Sequence, residues 1–91
     1  MNLAHLHYFV TLADKEHFAS TARSLGIARS TLSLAISHLE DDLRAPLFTK
    51  NGSNFVLTPY GKEFYRYASL ALKNIEIGMD KIQSIYRSEE R

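Results

Sequence analysis

The chain has 91 residues, 45% of them hydrophobic, which makes it one small domain with a modest core and too apolar to be disordered. Eleven Lys and Arg against ten Asp and Glu leave a net charge of +1, which argues against indiscriminate nucleic-acid binding by bulk charge and leaves binding by a shaped element open. With no cysteine, disulfides, zinc fingers and thiol catalysis are excluded. Met1-Asn2-Leu3-Ala4-His5 has no basic stretch leading into an apolar run, and no apolar run nears the ~18–20 residues of a membrane span. A cytoplasmic chain with no membrane partner is expected.

Asn2 reads as an N-cap, and Leu3, Leu6, Phe9, Val10 and Ala13 recur at helical spacing, giving a first helix to about Asp14. Lys15-Glu16-His17 is a polar break. Phe18, Ala22 and Leu25 define a short second helix, and Gly26 follows where a left-handed C-cap belongs. The next helical pattern begins a residue or two later. Two helices joined by so tight a turn must cross steeply, which is a helix-turn-helix.

The third helix is expected from about Ala28 to Leu43, ended by Pro46. Leu32, Ile36, Leu39 and Leu43 form its core stripe at spacings of four, three and four. The opposite face carries Ser30, Leu34, Ser37, His38 and Asp41, with Arg29 at its margin. Its N-terminal half is small and hydroxylic; its C-terminal half, Glu40-Asp41-Asp42, is acidic. That acidic run reads as a solvated helix end, with Glu40 pairing to a nearby basic side chain.

The period then changes. Leu47-Phe48-Thr49-Lys50 and Phe55-Val56-Leu57 read as strands, joined by a four-residue loop, Asn51-Gly52-Ser53-Asn54, with its Asn-Gly turn signal. Thr58-Pro59 is a strong helix start, a hydroxyl N-cap before proline at the first helical position. This last helix is expected to reach about Arg87, roughly 29 residues or ~43 Å. Phe64, Ala68, Ala71, Ile75, Gly78, Ile82 and Ile85 alternate spacings of four and three along it, and Leu72, Met79 and Tyr86 widen the stripe. A helix longer than its own domain cannot bury that stripe within one copy, so a homodimer through this helix is expected. Its small residues, Ala68, Ala71 and Gly78, favour close helix approach. The alternative is packing of the stripe on its own head.

The order of elements is mainly α: three helices and a two-stranded wing in residues 1–58, then a long dimerisation helix in 59–91. Local sequences within it resemble the N-terminal domain of LysR-type transcriptional regulators. Leu6-His7-Tyr8-Phe9-Val10 resembles the first-helix pattern of that family, and residues 18–25 its second helix. Residues 32–43 resemble its recognition helix, and Ala45-Pro46-Leu47-Phe48-Thr49-Lys50 and Val56-Leu57-Thr58-Pro59-Tyr60-Gly61 the segments flanking the wing. The resemblance implies double-stranded DNA as partner, with the third helix in the major groove and the wing at the neighbouring minor groove. It implies antiparallel pairing of the long helices in a dimer. It also implies a larger effector-binding domain, which is expected to lie outside these 91 residues if it is present at all; a small-molecule effector is expected only with such a further domain.

Carried onto this chain, the resemblance marks Arg29, Ser30, Thr31, Ser33, Leu34 and Ser37 on the third helix and Lys50, Asn51, Ser53 and Asn54 on the wing as DNA-binding residues. Phe64, Ala68, Ala71, Leu72, Ile75, Gly78, Met79, Ile82 and Ile85 are the expected dimer interface. Three departures from the family pattern matter. Ala28-Arg29 stands where Ser-Gln is frequent: Ala28 removes a capping hydroxyl, so the helix start is free to slip to Ser30, and Arg29 suits guanine N7 and O6 where the amide favours adenine. Leu34 replaces a basic residue and offers only apolar contact, for instance to a thymine methyl, or packs under the wing or against a partner. Ser53 replaces a wing-tip arginine. Residues 1–59 balance Lys15, Arg23, Arg29, Arg44 and Lys50 against Asp14, Glu16, Glu40, Asp41 and Asp42. The neutral head predicts weak non-specific binding with a shallow salt dependence.

Ser33 and Ser37 read equally as phosphate donors and as solvated serines. His5, His7, His17 and His38 have no metal-ligand spacing and read as structural or solvated; no cofactor is expected. No glycine-rich phosphate loop and no nucleophile–base pair speaks for an enzyme. The competing function is a winged-helix protein-interaction and dimerisation module with little DNA affinity, for which Leu34 and the neutral head are the evidence.

Overall fold

The computed structural model describes residues 1–90, in the order α1 (Leu3–Lys15), α2 (Phe18–Leu25), α3 (Arg29–Leu43), β1 (Phe48–Asn51), β2 (Asn54–Leu57) and α4 (Pro59–Glu89). Asn2 caps α1 by accepting the His5 N–H at 2.8 Å. The chain leaves α1 through Glu16, at φ 65°, whose N–H donates to the Leu12 carbonyl. Gly26 ends α2 at φ 69°, and its N–H and that of Ile27 donate to the Arg23 and Ala22 carbonyls of the last turn. No side chain caps α3. Ala28 is its N-cap residue and Leu32 N–H bonds to the Ala28 carbonyl at 3.1 Å. The helix begins at Arg29 rather than slipping to Ser30, because the backbone bond holds the first turn without the hydroxyl.

The core forms where α1, α2, α3 and the start of α4 meet. Phe9, Leu12, Ala22, Leu32, Ile36, Leu39, Leu47 and Ala68 are its buried members. Phe9 lies at its centre, with ring centroids 5.5 Å from Phe48 and 5.3 Å from Phe64. Leu3, expected in the first helix's apolar pattern, is instead exposed.

The wing is tighter than the four-residue loop predicts. Phe48 pairs with Leu57, Thr49 with Val56, Lys50 with Phe55 and Asn51 with Asn54, so the loop is Gly52-Ser53 alone. Gly52, at φ 65°, takes the first position of this two-residue connection, where glycine matches the strand twist. Leu47 lies outside the strand and is buried in the core.

Thr58 starts α4 as expected, accepting the Gly61 N–H at 3.0 Å and donating its hydroxyl to the Pro46 carbonyl at 2.6 Å. Gly61 sits so close to the Leu47 backbone that a Cβ would run into the Leu47 carbonyl oxygen. Ala68 is 2% exposed and Phe64 is half-buried on Phe9, so these two expected interface residues serve their own head. Their heptad spacing is the same whether the stripe meets a partner or its own domain. From Lys73 to Glu90 every residue is exposed, and the particle measures 56 × 25 × 19 Å. No described helix is long and apolar enough to cross a membrane.

Candidate nucleic-acid interface

The buried residues of α3, Leu32, Ala35, Ile36 and Leu39, pin one side of the helix to the core. Helical geometry then turns the opposite side outward. Arg29, Ser30, Thr31, Ser33, Leu34 and Ser37, the six expected α3 residues, are all exposed, with Ser33 and Ser37 toward the wing and Thr31 and Leu34 toward α1.

The wing stands beside this face. A cavity of about 250 Å³ runs between them, lined by Ser33, Ser37 and Glu40 from α3 and by Thr49, Lys50 and Phe55 from the strands. The Lys50 ammonium lies 5.4 Å from the Phe55 ring centroid, which places a cation on the rim of the groove. Asn51 and Ser53 are exposed on the wing. Asn54 is half-buried, and its amide donates to the Glu16 carboxylate at 3.5 Å. Of the four expected wing residues, it is the one directed at the body.

Leu34 does not lie under the wing. It borders a second crevice of about 250 Å³ on the other flank of α3, with Thr31 and His38 beside it and Asn2, His5 and Tyr8 across from it on the α1 side. The His5 and His38 rings face each other at 6.0 Å. The His5 Nδ1 atom is buried without a partner.

Two glutamates that the sequence left as charge set the position of the wing, Glu40 through its carboxylate and Glu16 through its backbone carbonyl. Among the described residues no basic side chain pairs with Glu40. Its Oε2 accepts the Leu47 N–H at 2.6 Å and the Phe48 N–H at 3.4 Å, joining α3 to the first residues of the wing. At the second strand, the Glu16 carbonyl accepts the Phe55 N–H at 2.7 Å. Asp42 accepts from the Met1 ammonium at 2.8 Å, and that hydrogen bond and charge hold its carboxyl below the ordinary carboxylate range. The acidic end of α3 is therefore not uniform: Glu40 is spent on the backbone, Asp42 on the amino terminus, and Asp41 faces water. The uncapped first turn and Arg29 lie at the opposite end of the helix, where the helix dipole is positive, whereas Lys50 borders the groove that Glu40 also lines. No group of three His, Asp or Glu placed to hold a metal ion occurs among the described residues.

The sequence model of the bacterial regulatory helix-turn-helix proteins of the lysR family matches residues 3–62, about two-thirds of the chain. The chain belongs to the LysR family. Among its LysR-type relatives, the uncharacterized HTH-type transcriptional regulator YybE of Bacillus subtilis is 34% identical over 90 residues, covering 99% of this chain and 31% of YybE. The transcriptional dual regulator GltC of the same organism is 39% identical over 82 residues, covering 90% of this chain and 27% of GltC. The chain thus spans under a third of the length of these two relatives. In structure it is similar to the BenM DNA-binding domain in its crystallised complex with catB site 1 DNA, with a TM-score of 0.91 and 32% identity over 98% of this chain and 96% of that one.

Proposed function

We propose that this LysR-family chain binds double-stranded DNA sequence-specifically and regulates transcription as a homodimer. The observation that carries the reading is the accessible N-terminal end of α3. Arg29 and Ser30 are exposed there, and farther along the helix Ser33 and Ser37 share a groove with Lys50 of the wing. The family relationship and the likeness to a DNA-bound domain support it.

In this reading α3 enters the major groove and the wing lies over the adjoining phosphates and minor groove. Arg29 donates a forked pair of hydrogen bonds to guanine N7 and O6. Ser30 and Thr31 meet base edges or sugar-phosphate nearby. Ser33, Ser37, Lys50, Asn51 and Ser53 position the sugar-phosphate backbone along the exposed surfaces of helix and wing.

The exposed part of α4 supports a second copy as its cover. Ile75, Met79, Ile82 and Ile85 are each about half exposed or more, at 48%, 58%, 67% and 51%. Ala71 and Gly78 are small and open, and Leu72 is half-buried at the edge of the head. With Phe64 and Ala68 spent on the head, the free stripe runs from Ala71 to Tyr86 and is centred at Gly78 and Met79. Antiparallel pairing about that centre sets Ile75 against the Ile82 position of the second copy and holds the two reading heads at opposite ends. The particle works in the cytoplasm, and a small-molecule effector acts only through a further domain outside this chain.

A second reading has its own observation: a head with five basic and five acidic residues and an exposed Leu34 suits a winged-helix module that binds protein instead. Titration against random-sequence duplex DNA at ~50 mM salt separates the two, because counterion release favours binding most at low salt. Saturable binding supports the DNA-binding regulator. No measurable binding supports the protein module.

A further inference from the structure

Leu34 is the one apolar residue among the hydroxyls on the outward face of α3. It is 59% exposed, and Ser30, Thr31, Ser33, Ser37 and His38 around it on the helix are exposed as well. The wing groove does not include it; it borders the crevice toward α1. A single exposed leucine is common on protein surfaces. What marks this one is a polar surround on a face that otherwise offers only hydrogen-bonding groups. In the DNA-binding reading, an apolar group so isolated matches a partner group of methyl size.

The major groove displays one apolar group, the C5 methyl of thymine. Leu34 lies five residues after Arg29, about 7.5 Å along the helix axis and about 140° around it, so the two side chains would meet the groove at separate positions. We propose that Leu34 is a specificity-determining residue that packs on a thymine methyl in each half-site, at a base pair other than the one Arg29 faces. The inference rests on the DNA-binding reading above and adds the base that this residue selects.

The test starts with selection of bound duplexes from a random pool. Each thymine of the selected site is then replaced singly by deoxyuridine, which removes the methyl and keeps the pairing. One thymine per half-site should lose about four-fold in affinity on replacement, the size expected for burying one methyl-sized group. Leu34→Ala, a change at an exposed position, should bind the thymine and deoxyuridine duplexes equally. The proposal is overturned if every thymine tolerates deoxyuridine, or if Leu34→Ala keeps the full sensitivity; the selected site still stands in either case. Failure to select any sequence above background overturns the DNA-binding reading and this contact with it.

Discussion

The Tyr65 hydroxyl donates to the Asp14 carboxylate across 2.6 Å, tying the long helix α4 to the last turn of α1. The hydrogen bond, burial and the carboxylate charge raise the Tyr65 pKa above its ordinary value of 10.0. With Gly61 on Leu47 and Phe64 on Phe9, this bond fixes how the head sits on the helix that carries it. Tyr65→Phe should lower stability by about 0.5–1 kcal/mol near neutral pH, the net worth of one such bond close to solvent. The sign of its pH dependence follows from the raised pKa. The contribution is full below the ordinary tyrosine value and is lost as pH rises through the folded one. Urea unfolding of the two proteins should therefore show a constant gap at pH 6–8 that closes in alkali.

Glu40 is expected to matter more for folding than any other carboxylate of the head, because it receives two backbone N–H groups beside the core. Glu40→Ala leaves the Leu47 donor without its partner and should cost about 1–3 kcal/mol. For a domain of this size that lowers the melting temperature by roughly 4–8 °C per kcal/mol. Glu40→Gln keeps an acceptor oxygen and should recover much of the loss. Calorimetry of the three proteins checks the order wild type, Gln, Ala.

The two helical glycines of α4 should respond to alanine in opposite ways. At Gly61 the added methyl meets the Leu47 carbonyl, so Gly61→Ala should destabilise the head by more than about 2 kcal/mol. At Gly78 nothing lies within 4 Å of the added Cβ. In a lone chain Gly78→Ala should strengthen the helix by up to about 1 kcal/mol. In a dimer crossing at that residue it should weaken association by about 1–3 kcal/mol. Circular dichroism and sedimentation of the same samples should thus show more stable helix and less dimer.

Much of this architecture was legible in the residues. The Leu32, Ile36 and Leu39 stripe is buried, Gly26 takes the left-handed cap, and Thr58-Pro59 opens the last helix. Hydrophobic period and local cap chemistry suffice for such features. What the sequence concealed depends on contacts between distant segments or on residues outside their usual roles. Glu16 and Arg44 end helices at φ 65° and 56°, a conformation signalled by glycine or asparagine rather than by charged residues. The cap at Glu16 also sends its carbonyl to Phe55, and the sequence gives no sign of that partner. The helical wheel places Leu34 on the outward face but leaves open which flank it borders. The packing of α1 decides that, toward α1 and away from the wing. Heptad spacing likewise could not divide the α4 stripe into the part that covers the head and the part left free.

Hydroxyl-radical footprinting of a selected duplex, combined with the mass of the complex, bears most directly on the claim that two α3 ends read DNA from one symmetric particle. Two protected segments on one face of the duplex, a whole number of turns of about 10–10.5 base pairs apart, with two chains per duplex, are the expected result. One protected segment with a single chain bound would contradict it.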